Sequence, residues 1–318
     1  MINASEHNSI QQAGDNLPPD LLWVILGPTA SGKTKLAVAL AQRIQGEIIS
    51  VDSRQVYRRM DIGTGKDLEE YKHVPYHLID ICEPGEKYNI FQFQNDFHKA
   101  YREIVKKGKS TIACGGTGMY IQSLLQPQPY MEIPTDEVLR EEWLQKPKEE
   151  LILHLEQLPT PVDFRIDRSS HKRLIRAIEI LTWLQANPGF KAKSAPHYPH
   201  LIFGIEPSLK DRRTHISLRL NERIENGLIT EVQHLLDVGL THAELQYYGL
   251  EYKYVSLYLQ GVLDKPTFIS RLETEIHRYA KRQMTYFRKM EKDGLRIHWL
   301  KANTVEEQLE EILQYKHT

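Results

Sequence analysis

The sequence predicts an α/β fold, a parallel sheet flanked by helices and interrupted by a helical insertion. Three observations predict it. An apolar run, Leu22-Trp-Val-Ile-Leu26, leads into Gly27-Pro-Thr-Ala-Ser-Gly-Lys-Thr34 and then into a helical pattern at Leu36, Ala37, Leu40, Ala41 and Ile44. Strand-like and helix-like segments alternate from residue 21 to residue 125. Prolines and a change of composition then set off residues 126–200.

Taken in order, residues 1–20 are polar, without the basic start and apolar centre of a secretion signal, and read as a flexible tail. Strand-like runs follow at Leu21–Leu26, Glu47–Val51, His77–Ile81 and Ser110–Cys114, with helices between them such as Phe91–Lys107. That alternation implies right-handed crossovers and parallel strands, and ligands in such sheets sit at the carboxyl ends of the strands. Gln126-Pro-Gln-Pro129 and Ile133-Pro134 open the insertion, residues 136–186 read as purely helical, and Pro188, Gly189, Pro196 and Pro199 close it. Residues 201–205 return as a strand, and the remainder is mostly helix with a late strand at Arg296–Leu300. The expected organisation is a tail (1–20), a core (21–125 with 201–318) and a helical insertion (126–200).

Composition sets bounds on function. Hydrophobic residues make up 41% of the 318 and charged residues 26%, enough for a sizeable core. A net charge of −1 excludes a globally basic nucleic-acid binder, so any such surface must be local. The two cysteines, Cys82 and Cys114, lack metal-ligand spacing, which suggests a reducing compartment and no disulfide framework. No apolar run approaches a membrane span. The expectation is a cytoplasmic protein without a membrane partner.

The strand–Gly27-x4-Gly32-Lys33-Thr34–helix unit is a complete phosphate-loop signature. Its glycines let backbone N–H groups wrap around phosphate oxygens at a helix N-terminus, Lys33 adds a cation, and the Thr34 hydroxyl can hold Mg2+. The loop alone specifies a polyphosphate, ATP included, and not its fate. One crossover later, Ile48-Ile-Ser-Val-Asp52 ends an apolar strand in a carboxylate. Asp52 suits a water-mediated Mg2+ ligand, a general base, or the N-cap of a following helix. Gly115-Gly-Thr-Gly-Met-Tyr120 offers close backbone approach and the Thr117 hydroxyl, or a plain strand-to-helix turn.

Two basic clusters complete the pattern. Arg165, Arg168, Lys172, Arg173 and Arg176 crowd the insertion, and 165, 168, 172 and 176 share a face if the stretch is helical. Arg278, Lys281, Arg282, Arg288 and Lys289 form the second cluster, with Tyr279, Gln283 and Tyr286 interleaved to stack on or hydrogen-bond bases. Either cluster alone is compatible with a solvated helix face, whereas two of them in a nearly neutral chain favour a polyanion.

Together these segments resemble the tRNA dimethylallyltransferase (tRNA isopentenyltransferase) family. The resemblance rests on Gly27–Thr34, Asp52-Ser53…Tyr57…Met60-Asp-Ile-Gly-Thr64, His77-Leu-Ile-Asp80, Gly115–Tyr120, Arg173…Arg176-Ala-Ile-Glu179 and Ala280-Lys-Arg-Gln-Met-Thr-Tyr-Phe-Arg288. It covers roughly residues 20 to 300. It implies a P-loop NTPase-like core and transfer of a prenyl group from dimethylallyl diphosphate to N6 of an adenosine beside the anticodon. By resemblance, Gly27, Thr29, Ala30, Ser31, Gly32, Lys33 and Thr34 hold the leaving diphosphate rather than ATP, with Mg2+ at Thr34. Asp52 is then the base, Thr117 supports the reacting centre, and Arg223 binds diphosphate. Ser53, Arg54 and Gln55 face the adenosine. Lys172, Arg173 and Arg176 touch the tRNA, as do Arg282 and Gln283 of the late cluster. The partners implied are the tRNA anticodon stem-loop and the prenyl donor, met by a monomer.

Three segments depart from the family pattern, all in regions the resemblance assigns to tRNA. They are Val162–His171, Gly249-Leu-Glu-Tyr-Lys253, and Tyr286 in place of the family tryptophan. A prenyltransferase acting on free adenine nucleotides needs neither the insertion nor the basic faces. A kinase on the same fold needs an acceptor motif that the sequence does not offer. A non-catalytic RNA binder has no use for intact Lys33, Thr34, Asp52, Thr117 and Arg223.

Overall fold

The computed structural model describes residues 18–191 and 196–315. The expected tail therefore lies outside the described residues up to residue 17. The described residues group into two compact units, one up to Gln126 and again from Pro196, the other beginning at Pro127.

The first unit is built on β1 (Leu22–Leu26), followed by α1 (Lys33–Ile44), β2 (Gly46–Ser50), β3 (Tyr76–His77), α2 (Ile90–Lys106), β4 (Ser110–Gly115) and α3 (Gly118–Leu125). Every pairing in the sheet is parallel. The period of two along β1 divides its side chains between two cores. Leu22, Val24 and Leu26 pack into one, and Trp23 and Ile25 into the other. Both faces are thus dry, which is why these strands read as unbroken apolar runs.

The expected strand His77–Ile81 is much shorter. Leu78 (φ 62°) and Asp80 (φ 58°) leave extended geometry, so pairing stops at His77. The segment instead closes onto the Tyr57 region, where the Ile81 and Cys82 amides donate to Val56 O at 2.8 and 2.9 Å.

The second unit holds α4 (Glu137–Leu144), α5 (Lys148–Gln157) and α6 (His171–Ala186) around Leu151, Leu155, Leu174, Ile178 and Leu181. Residues 158–170 are not helical, contrary to the sequence expectation. Pro159 and Pro161 interrupt the backbone donors. Ser170 then caps α6 by accepting the Arg173 amide.

The chain returns to the first unit as β5 (His200–Ile205), beside β1. Then come α7 (Leu209–Glu225), α8 (Leu228–Asp237), α9 (His242–Leu245), α10 (Leu250–Leu259), α11 (Lys265–Lys292), β6 (Ile297–Leu300) and α12 (Val305–Leu313). The sheet order is β3-β2-β4-β1-β5-β6. The strands that follow β1 first lie on one side of it, and β5 and β6 on the other. The carboxyl end of β1 is therefore a topological switch point, where such sheets bind ligands. On α11, Phe268, Leu272, Ile276, Ala280, Gln283, Met284 and Phe287 form the buried stripe, at the helical period. No helix among the described residues is long and apolar enough to cross a membrane.

Candidate functional site

The carboxyl ends of β1, β2 and β4 open into a cavity of about 900 Å³. Its lining includes the phosphate loop from Thr29 to Thr34, the Asp52–Gln55 turn, and Arg219 and Arg223 of α7.

The loop runs from β1 to α1, as the spacing predicts. Its Ser31 Oγ is buried without a partner among the described residues. Lys33 Nζ donates to Pro28 O at 3.3 Å. Burial pushes the Lys33 ammonium below the usual lysine range, reinforced by Arg219 and opposed by Asp52. A bound polyanion would favour its charged form.

Asp52 lies two residues past the end of β2. No helix begins there, so the N-cap reading fails. Its Oδ1 accepts the Arg54 amide at 2.8 Å, an Asx turn that fixes the carboxylate at the cavity wall. The Thr117 hydroxyl accepts the Ser53 amide at 3.3 Å. Thr117 thus braces the turn that carries Asp52 and is not part of the cavity lining. Gln55 accepts from Ser50 Oγ at 2.8 Å and donates to Gly65 O at 3.0 Å, and the Arg54 guanidinium lies 5.0 Å from the Tyr247 ring centroid.

Arg223 reaches the same cavity from α7. It pairs with Glu251 at 3.2 Å, and its Nε is buried without a partner among the described residues. Burial and Arg219 push its pKa down while Glu251 opposes them, and burial pushes the Glu251 carboxyl up against the opposing Arg223. Both shifts express dehydration, which an anion arriving at the cavity would offset at Arg223. Gly65 makes room for this arrangement. It has φ +64°, and a Cβ there would lie 1.7 Å from Arg223 Nη2.

Sequence reasoning missed Arg219, four residues before Arg223 and thus on the same helical face. It pairs with Asp67 across the cavity lining. It also missed Glu231, whose carboxylate accepts the Asp61, Ile62 and Gly63 amides and the Tyr252 hydroxyl at 2.7–2.9 Å. That one side chain holds the loop leading to Gly65. The helical spacing of Arg219 was a readable signal, whereas nothing local marks Glu231.

Among the described residues no group of three or more His, Cys, Asp or Glu side chains could hold a metal ion alone. Thr34 and Asp52 are hard oxygen donors on the cavity wall, which suits a Mg2+ ion that brings phosphate and water oxygens with it. Cys114 also lines the cavity, but burial pushes its thiol up to about 12, so it is no nucleophile.

The basic clusters divide differently from the sequence expectation. Arg165 and Arg168 precede α6 and share no helical face with Lys172. Arg176 donates to Ile133 O at 2.6 Å, Pro134 O at 3.1 Å and Glu179 at 3.2 Å, so it is an internal brace of its unit. Arg173 pairs with Asp167 at 2.6 Å, while Lys172 is exposed. On α11, Arg278, Arg288 and Lys289 pair with Glu275, Glu206 and Glu291, and Asp293. Lys281 and Arg282 are exposed and have no carboxylate partner among the described residues, and Arg282 reaches the cavity rim. Gln283, expected on the RNA face, is buried with both amide ends bonded inside the protein.

Comparison with known proteins gives consistent matches. The IPP transferase family matches residues 55–290, and the isopentenyl transferase family matches residues 21–74. The tRNA dimethylallyltransferase 1 of Azobacteroides pseudotrichonymphae genomovar. CFP2 is 48% identical over 283 residues, spanning 88% of this chain and 92% of that protein. The tRNA dimethylallyltransferase 2 of Porphyromonas gingivalis is 48% identical over 282 residues, spanning 87% and 93%. The full-length tRNA isopentenylpyrophosphate transferase of Bacillus halodurans has a similar structure, with a TM-score of 0.68 and 32% identity over 92% of this chain and 94% of that one.

Proposed function

The chain belongs to the IPP transferase family, and on that premise we propose that it transfers the dimethylallyl group of dimethylallyl diphosphate to N6 of the adenosine beside the anticodon of tRNA. One observation carries the reading. The phosphate loop, two arginines and a carboxylate held by an Asx turn line a single cavity, so a leaving group and a nucleophile can be served together.

In this reading the C1–O bond of the donor breaks and its electron pair leaves with the diphosphate. The N6–C1 bond forms, and the N6 proton passes to Asp52. An exocyclic amine is a weak nucleophile, so a base placed in the wall speeds attack. Lys33, Arg223 and the loop amides meet the charge that develops on the leaving oxygen. Thr34 would hold Mg2+ together with phosphate oxygens, and that ion would neutralise part of the diphosphate charge. Ser53, Arg54 and Gln55 line the wall where the adenine enters, and the base must leave its stack to reach them. Lys172, Arg173, Lys281 and Arg282 interact with the RNA phosphates. We place the protein in the cytoplasm, which its two free cysteines favour, and take it to act as a monomer.

The alternative acceptor is a free adenine nucleotide. Labelled dimethylallyl diphosphate offered unmodified tRNA and AMP, ADP or ATP in the same reaction decides between them. The proposal requires label in the tRNA. Label in the nucleotide pool, or Mg2+-dependent ATP turnover without prenyl transfer, would overturn it.

A further inference from the structure

We propose that Gln283, which lines the cavity, is a positioning residue for the diphosphate site and not part of the basic face that meets the RNA backbone. Its side-chain amide locks the phosphate loop to the glycine turn after β4. The proposal rests on the reading that this loop holds the donor's diphosphate.

Gln283 is 7% exposed and sits in the apolar stripe of α11, between Ala280 and Phe287. A buried amide is costly unless both ends are satisfied. Here both are. Thr29 N–H donates to Oε1 at 2.9 Å, and Nε2 donates to Gly116 O at 2.9 Å. The partners fix the orientation of the amide, because a backbone N–H can only donate and a carbonyl can only accept.

The clamp has consequences on both sides. It occupies the Thr29 amide, so oxygens of a bound diphosphate must be met by amides later in the loop, and it fixes the first turn of the loop before any ligand arrives. On the other side it requires residue 116 to be glycine, because a Cβ there would lie 2.4 Å from Gln283 Nε2. The next residue, Thr117, takes the Ser53 amide beside Asp52. Beyond the strand ends, where the sheet pairing stops, this side chain therefore helps set the spacing between the loop and the turn that presents the base. Reaction rates are steep in that spacing. The neighbouring Lys281 is exposed to solvent and lies outside the cavity lining. The same helix thus offers a cation to RNA at one position and holds the diphosphate site in place two positions later.

The test measures three quantities on each variant of the full chain: affinity for inorganic diphosphate with Mg2+ by calorimetry, affinity for tRNA by filter binding, and steady-state kcat and KM. Gln283→Leu keeps the volume and loses both bonds. It should raise the diphosphate Kd and the KM for dimethylallyl diphosphate about tenfold and lower kcat, while the tRNA Kd stays within about twofold. Gln283→Asn keeps the amide on a shorter side chain that cannot span both partners, and should fall between; it carries the test if the leucine variant does not fold. Gly116→Ala should reproduce the Gln283→Leu pattern and add little to it in the double variant. Lys281→Ala should do the reverse, weakening tRNA and sparing diphosphate. Weakened tRNA binding with an unchanged diphosphate Kd in Gln283→Leu would overturn the proposal alone. A wild-type protein that binds no diphosphate would overturn the reading of the loop and the proposal with it.

Discussion

At the residue scale, Asp52 divides its carboxylate. Oδ1 holds the Arg54 amide, and no partner among the described residues holds Oδ2, which can take a proton. Asp52→Asn keeps the turn and removes the basicity. The kcat should fall by roughly a hundredfold or more while tRNA affinity stays near wild type. Single-turnover rates with tRNA saturating check this, and a near-normal rate at neutral pH would remove Asp52 from the role. Thr34 and Lys33 separate by the same logic. Thr34→Ala should raise the Mg2+ concentration needed for half-maximal rate, by about tenfold for removal of one ligand. Lys33→Ala should raise the KM for the prenyl diphosphate and slow transfer at any Mg2+ concentration. A Mg2+ titration on both variants distinguishes the two roles, and identical curves would contradict the assignment.

At the scale of elements, two braces carry consequences that the sequence hides. Gly65→Ala forces a side chain onto Arg223 and strains a backbone with φ +64°. Diphosphate affinity should drop by about tenfold or more, with a fall in Tm. Unchanged affinity would mean that Arg223 does not meet the diphosphate. Arg176→Ala strips two backbone carbonyls and the buried Glu179 of a donor. Denaturant unfolding should register a loss of about 1–3 kcal/mol, against almost none for Lys172→Ala. Neutralising both at once would confuse folding with RNA binding.

These braces mark the limit of legibility. The phosphate loop, the strand ends at Asp52 and Gly115, and the return strand at 201–205 are written in local spacing and period, and the structure contains them. The sequence also marked Gln283, but on the wrong face. The stripe Ile276, Ala280, Gln283, Phe287 was readable, yet a polar side chain counts as surface until its partners, 254 and 167 positions away, are known. Residues 158–170 misled because their basic residues fall at helical spacing while Pro159 and Pro161 forbid the helix.

At the scale of the whole molecule, a net charge of −1 coexists with local basic surface. Much of that surface is internally neutralised, and Lys172, Lys281 and Arg282 remain exposed for phosphates. Binding to tRNA should weaken as salt rises, and Lys281→Ala with Arg282→Ala should reduce the slope of log K against log salt by about one unit for each phosphate no longer neutralised. An unchanged slope would place the RNA elsewhere. On the proposed reading, one cavity joins a prenyl donor to one adenosine of a folded RNA. Reacting unmodified tRNA with labelled dimethylallyl diphosphate, digesting it, and mapping the label by mass spectrometry of the fragments decides whether it does. Label is expected on N6 of the adenosine beside the anticodon and on no other nucleoside. Label at a different base, or none in the RNA while donor is consumed, would contradict the claim.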